Sequence, residues 1–264
     1  MLSPSFEWRP VALLRDRTPE HPGPADFALI VLNQPVKQTP VFDSLWTNAL
    51  TRVAADGGAN RLYDMSKAAK ARSHPPFANL DVIIGDLDSL LPSVRDYYTN
   101  LEKPAQVIHD PDQYSTDFGK AVSWIRSNHG PNTDIVALGG LGGRVDQGLS
   151  QVHHLYLFQP GPDYAQGKVY LVSGQSLTFL LKPGRHSIRV REGGDDVFGK
   201  HVGILPIGGI SHITTKGLEW DVENWETKFG GQVSTSNHVL PETEVVEIET
   251  TSTVLFTIAL AGIE

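Results

Sequence analysis

Five short apolar runs, each passing into a polar or glycine-rich turn, leave little freedom in what the first half of this chain can build. Phe27–Leu32, Arg52–Ala55, Asp81–Ile84, Ala105–Ile108 and Asp134–Leu138 are rich in β-branched residues and read as buried strands. Helical spacing lies between and after them. Phe118, Val122 and Ile125 recur at i, i+4 and i+7 behind Ser115 or Thr116 as N-cap, and Val145, Leu149, Val152 and Tyr156 repeat that spacing after Arg144. Strand alternating with helix predicts an α/β domain with a mainly parallel sheet covered on both faces. The pattern changes at Gln159-Pro160-Gly161-Pro162, a linker by composition. From Lys168 onward, about eight short strand-like runs, from Val169–Val172 to Val254–Leu260, follow one another without a helical period, which predicts an all-β domain, sandwich or barrel. The expected boundaries are residues 1–162, with 1–26 as an N-terminal extension, and residues 163–264. The segment Ser66–Pro76 reads as a surface connection.

Composition narrows the function. With 22 basic against 30 acidic side chains, the formal charge of −8 argues against a nucleic-acid partner, which calls for a basic stripe. A small anionic substrate stays compatible, because local cations or a metal reverse the field at one site. The absence of cysteine removes disulfides, thiolate metal sites and cysteine nucleophiles, and fits a reducing compartment. Glu7, Arg9, Arg15, Asp16 and Arg17 interrupt any secretory apolar core, and Val254–Ile263 is about half the length that spans a bilayer. The expectation is a soluble, cytoplasmic protein with no membrane partner.

The chemistry concentrates in the loops that follow the strands. Parallel strands with intervening helices bring these loops to one sheet edge, where open α/β sheets bind ligands. Gly85-Asp86-Leu87-Asp88-Ser89 sets two carboxylates two residues apart after an apolar strand, a pattern that suits a hard divalent ion or, equally, turn and capping roles. Asp56, Asp117 and Asp146 reach the same edge, and so many carboxylates repel unless a cation is bound. Gly139-Gly140-Leu141-Gly142-Gly143-Arg144 opens a helix and reads either as a phosphate cradle or as a tight strand–helix turn; it is neither a dinucleotide fingerprint nor a P-loop. Arg144 offers a planar donor fork to phosphate or is solvated, and Lys120 supplies a second cation or faces water. In the β half, Trp220 and Trp225 are either core residues or a flat wall for a cationic ring, and Ser234, Ser236 and Asn237 are polar strand-end residues. His153-His154 has no acidic helix motif to partner it, which argues against zinc.

Taken in order, ADGGANRLYD (Ala55–Asp64), GDLDS (Gly85–Ser89), DQYSTDFGKA (Asp112–Ala121), GGLGGRVDQ (Gly139–Gln147) and TTKGLEW…VSTSN (Thr214–Asn237) resemble the thiamine pyrophosphokinase family in its eukaryotic form, over roughly Ala28 to Ala261. The resemblance implies an α/β catalytic domain followed by a β-sandwich, a homodimer with a shared active site, and Mg²⁺-dependent transfer of a diphosphoryl group from ATP to the hydroxyl of thiamine. It implies that Asp86, Asp88 and Asp117 hold magnesium, and that Asp56 completes the catalytic acidic centre. Asn60, Gly140, Arg144, Asp146 and Lys120 would serve ATP, while Gln113, Trp220, Ser234 and Asn237 would face thiamine. Gln147 stands where many members carry histidine. The stretch before Ala28 and the insertion-like Arg191–Lys200 inherit nothing. The competing readings are a nucleotide-sugar glycosyltransferase using the same acidic motif, a metal-dependent phosphohydrolase, and a binding regulator without chemistry.

Overall fold

The alternation of strand and helix is realised over one continuous stretch and a portion of the next. The computed structural model describes residues 3–15, 26–35, 37, 39–68, 76–192 and 197–262. Residues 16–25 of the N-terminal stretch, 69–75 of the expected surface connection and 193–196 of Arg191–Lys200 lie outside the described residues. The chain divides into two units, Ala25–Pro160 with Tyr164–Gly174, and Met1–Pro24 with Gly161–Asp163 and Gln175–Glu264. The first elements in chain order, β1 (Ser5–Trp8) and α1 (Pro10–Leu14), belong to the second of these.

The α/β unit contains β2 (Phe27–Val31), α2 (Pro40–Asn48), β3 (Thr51–Ala55), α3 (Gly58–Ala68), β4 (Val82–Gly85), α4 (Pro92–Thr99), β5 (Gln106–His109), α5 (Asp117–His129), β6 (Asp134–Leu138), α6 (Val145–Leu157) and β7 (Val169–Val172). Its strands run in the order β7-β6-β2-β3-β4-β5, every pair parallel. β2, at the centre, is buried along its whole length, as a strand covered on both faces must be. Helices begin where the sequence signals them: proline opens α2 and α4, and the Thr116 hydroxyl caps α5 by accepting from the Gly119 N–H at 3.1 Å. From β2 the chain proceeds outward through β3, β4 and β5, then returns to place β6 on the other side of β2. That reversal is a topological switch point, and the crevice beyond the carboxyl ends of β2 and β6 is where such a sheet receives a ligand.

Two details depart from the sequence reading. β7, expected to open the all-β domain, is the sixth strand of the parallel sheet and pairs with β6 from Ile135↔Val169 to Leu138↔Val172. Along α6 the repeat is helical as expected, but only some of it is covered: Val152 is buried, whereas Val145 and Leu149 are 78% and 61% exposed. The helix is rolled so that Val152, His154 and Leu155 face inward.

The β-rich unit adds β8 (Ser176–Leu181), β9 (Gly184–Arg189), β10 (Phe198–Leu205), β11 (Ser211–Lys216), β12 (Trp225–Thr227), β13 (Ser234–His238), β14 (Val245–Thr250) and β15 (Val254–Leu260). One sheet runs β1-β9-β14-β11-β12, and the strands β13-β10-β15-β8 pair antiparallel in that order. Alternating burial along β9, β11 and β14 marks a sheet with one buried face. Trp8 of β1 is 1% exposed, stacks on Phe179 of β8 at 4.3 Å between centroids, and donates its indole N–H to His186 Nδ1 at 2.9 Å. The N-terminal segment, expected as an extension of the α/β domain, is thus a structural member of the sandwich. No helix among the described residues is long and apolar enough to cross a membrane.

Candidate active site

Three loops that leave adjacent strands bring three aspartates together. Asp56 follows β3, Asp86 follows β4 and Asp117 opens α5, and their carboxylate oxygens lie within 4.8 Å of one another. Gly85 makes this approach possible. A Cβ there would stand 2.8 Å from Asp56 Cβ and 2.9 Å from Asp117 Oδ1, so any side chain would wedge the cluster apart. Gly58 permits a similar approach in the neighbouring loop, since a Cβ would fall 2.1 Å from the Val31 carbonyl oxygen at the mouth of β2.

Hydrogen bonds fix most of the acidic oxygens. Asp56 Oδ2 accepts from Ser89 N at 3.1 Å, Asp117 Oδ1 accepts from Asp86 N at 3.3 Å and from Lys120 Nζ at 3.4 Å, and Asp86 Oδ2 accepts from Gln113 Nε2 at 3.2 Å. Asp56 Oδ1 is buried and has no hydrogen-bond partner. A buried oxygen left bare costs about 1–3 kcal/mol unless something occupies it. Burial raises the pKa of Asp56, an effect countered by the Ser89 N–H and reinforced by Asp117. Burial likewise raises Asp117, with Lys120 opposing and Asp86 adding to the shift. Asp86 is lowered, chiefly by the Asp88 N–H and the Gln113 amide. Three hard oxygen donors, one of them orphaned, fit a Mg²⁺-type cation, which would relieve the repulsion and satisfy Asp56 Oδ1.

Asp88, expected among the ligands, is outside this group. β4 ends at Gly85 and Leu87 takes a left-handed backbone with φ +62°, so the strand alternation that would have aimed both carboxylates one way stops between them. Asp88 is exposed and its Oδ1 accepts from the Ser89 hydroxyl at 2.8 Å, while its N–H serves Asp86. Asp146 is also apart. It forms a two-point pair with Arg144, Nε–Oδ1 3.0 Å and Nη2–Oδ2 2.5 Å, on the exposed first turn of α6. The expectation that Asp146 adds to the same acidic centre is corrected by that pairing.

Beside the aspartates opens a cavity of about 320 Å³ lined by the β2 loop (Leu32, Asn33, Gln34), Asp86, Gln113, Thr116, Asp117, Lys120, Gly140 and α6 residues including Gln147 and Gln151. It sits at the switch point. Lys120 is buried against Asp117 rather than facing water. Gly139, Gly142 and Gly143 all have positive φ, and α6 begins without a side-chain cap, leaving its first N–H groups to whatever arrives there. A second hollow of about 350 Å³ runs past Gln34, Gly142, Gly143 and Val172. Asn60 does not line either one: its amide donates to Ser89 O at 2.7 Å and accepts from Leu91 N at 3.2 Å, bracing the Gly85–Ser89 loop. Gln151 escapes a sequence reading because its helical position, four after Gln147, falls among the apolar residues of α6. A larger groove of about 670 Å³ lies on the β-rich unit over β9, β11 and β14, where Arg185 pairs with Glu249 at 3.2 Å and Lys216 with Glu247 at 4.0 Å.

In the β-rich unit, Trp220 is 55% exposed, so the core reading of this residue is overturned. Its position is nevertheless fixed. Asn237, buried, accepts from Trp220 N at 3.2 Å and donates to Trp220 O at 2.9 Å, and the His238 ring lies 5.0 Å from the indole. Ser234 opens β13 and is half-buried opposite Ile204.

Fold and site together define a class: an α/β unit with an acidic, glycine-looped ligand site at its sheet reversal, joined in one chain to a β-rich unit. The family description "Thiamin pyrophosphokinase, catalytic domain" matches residues 42–164, and "Thiamin pyrophosphokinase, vitamin B1 binding domain" matches residues 185–255. Thiamine pyrophosphokinase 3 of Oryza sativa subsp. japonica is 39% identical over 248 residues, covering 89% of this chain and 88% of that one. Thiamine pyrophosphokinase of Saccharomyces cerevisiae is 31% identical over 257 residues, covering 79% and 78%. The crystal structure of yeast thiamin pyrophosphokinase superposes with a TM-score of 0.80 at 29% identity, over 96% of this chain and 90% of that chain. The chain belongs to the thiamin pyrophosphokinase family. The glycosyltransferase alternative finds no support among these relatives.

Proposed function

We propose that this chain transfers the diphosphoryl group of ATP to thiamine, giving thiamine diphosphate and AMP. The observation that carries the reading is the meeting of Asp56, Asp86 and Asp117 within 4.8 Å beside a cavity at the switch point of the sheet. In the reaction the thiamine hydroxyl oxygen bonds to the β-phosphorus of ATP, the bond from that phosphorus to the oxygen of AMP breaks, and the hydroxyl proton is lost. Charge gathers on the phosphoryl oxygens, so catalysis is mostly positioning and electrostatic stabilisation. Asp56, Asp86 and Asp117 would hold Mg²⁺, which when bound neutralises the polyphosphate and polarises its oxygens. Lys120, held at Asp117, places an ammonium in the same cavity. Gly140 and the uncapped start of α6 offer N–H donors to anionic oxygens, and Arg144, paired with Asp146 at that helix start, is assigned to the polyphosphate. Gln113 belongs to the acceptor side, tied to Asp86. Purified protein given ATP, Mg²⁺ and thiamine should produce AMP and thiamine diphosphate in equal amounts; AMP without the thiamine product, or neither, would refute the assignment.

Trp220, Ser234 and Asn237 are assigned to thiamine. An exposed indole whose main chain is fixed by two hydrogen bonds with Asn237, and whose ring lies 5.0 Å from that of His238, offers a face for the thiazolium cation. Trp220→Ala should raise the thiamine KM on the order of tenfold and leave the ATP KM in place, whereas an equal rise in both would remove Trp220 from the thiamine wall.

A homodimer that shares the active site belongs to the proposal. Its support is the apolar stripe Val145, Leu149 and Leu157, all exposed, along the helix that begins at Arg144. Leu149→Glu should move the sedimenting species from dimer to monomer and lower activity with it. An active, monomeric parent protein would contradict the shared site.

A further inference from the structure

His154 is the one buried histidine in the α/β unit, on α6, among the described residues. It is 5% exposed, and its ring lies 5.4 Å from Phe118 and 5.0 Å from Phe158. Its protonation pattern follows from its neighbours. Nδ1 lies 2.6 Å from the Ser150 carbonyl oxygen, which can only accept, so Nδ1 carries the proton. Burial pushes the imidazole pKa down, the Ser150 carbonyl opposes that and His153 adds to it; with the proton on Nδ1, Nε2 of the neutral ring is an acceptor. Nε2 lies 2.8 Å from Thr116 Oγ1, and the threonine hydroxyl therefore donates to it. That same oxygen accepts the Gly119 N–H that caps α5. One chain of hydrogen bonds thus runs from the first turn of α5, through Thr116 and His154, into the backbone of α6.

We propose that His154 is a positioning residue that fixes Thr116 and, through it, the first turn of α5 carrying Asp117 and Lys120. A threonine N-cap without a partner for its own proton is free to rotate, and each alternative rotamer takes its oxygen away from the Gly119 N–H. Asp117 is the next residue, so loosening the cap loosens one of three carboxylates that must stay within a shared coordination sphere. The aromatic seat holds the ring in place, and the Ser150 carbonyl sets its tautomer. The inference rests on the reading of Asp117 as a member of the metal-holding group. It assigns His154 no contact with substrate, since the residue does not line the cavity that Thr116 lines.

His154→Phe keeps the ring between Phe118 and Phe158 and removes only the acceptor. It should melt within a few degrees of the parent protein, lower kcat and Mn²⁺ affinity each about 10- to 100-fold, and leave the thiamine KM unchanged. His154→Gln, which returns an acceptor, should recover most of the loss. Added to Thr116→Val, the His154→Phe change should cost nothing further, because both act through one hydrogen bond. Values within about twofold of the parent for His154→Phe, or losses that multiply in the double variant, would overturn the proposal. Should His154→Phe not fold, His154→Gln against His154→Asn decides: a higher kcat for glutamine supports the relay and equal values overturn it. Mn²⁺ binding that survives Asp86→Asn unchanged would instead refute the metal reading itself, an outcome separate from any result at His154.

Discussion

Asp86→Asn is expected to lower turnover on the order of 10³-fold, about 4 kcal/mol of lost transition-state stabilisation, while the protein melts close to the parent temperature. The substitution removes charge and keeps shape. Asparagine still offers an oxygen to the Asp88 N–H or the Gln113 amide, and Asp86 is only partly buried, so no cation is stranded in the interior. Asp117→Asn would be a less clean choice, because Lys120 is buried against that carboxylate and would lose its counter-charge. Turnover is read as AMP and thiamine diphosphate formed per unit time at saturating substrates, with added Mn²⁺ titrated to separate weakened metal binding from a slower step. Asp88→Asn, outside the group of three, should cost far less. Near-normal turnover for Asp86→Asn would take that residue out of the metal site, and equal damage from both variants would remove the distinction drawn between them.

Trp8→Ala is expected to destabilise the β-rich unit by about 3–5 kcal/mol. The indole is 1% exposed, stacks on Phe179 and satisfies His186 Nδ1; the other His186 nitrogen already donates to Lys182 O at 2.7 Å. Truncation removes a large packed surface and the indole's hydrogen bond to His186, two costs that add. In calorimetry of the full chain, melting should begin about 10 °C or more below that of the parent. Trp8→Phe, which keeps the stack and loses the hydrogen bond, should lie between. A melting profile indistinguishable from the parent would show that β1 is an accessory and not integral to the sandwich.

Much of this is legible in the sequence because period and punctuation agree with the final packing. The five strands fall within a residue or two of their expected bounds, since buried parallel strands are short, apolar and bounded by turns. The acidic and glycine-rich loops are recognisable because a parallel sheet must bring them to one edge. What sequence spacing does not supply is direction. Asp86 and Asp88 differ by a single left-handed residue, Leu87, and a backbone torsion leaves no trace in a two-residue spacing. Asp56 takes the third place because Gly85 lets it pass, a contact between loops 29 residues apart in the chain, by the numbering of residues 56 and 85. Trp220 defeats a composition argument for a different reason: tryptophan is mostly buried on average, and here its backbone is held while its ring faces out. The N-terminal strand escapes notice because Ser-Phe-Glu-Trp is too short to show a period.

The pairing of β1 with β9 makes the sandwich discontinuous in the chain, its first strand separated from its partner by the entire α/β unit. As the polypeptide leaves the ribosome, Trp8 emerges long before His186, 178 residues later. At roughly 5–20 residues per second, that segment waits on the order of ten to thirty seconds with its apolar side uncovered. Vectorial synthesis therefore orders the events: the parallel sheet matures first, and the sandwich closes only when the last third of the chain has been made.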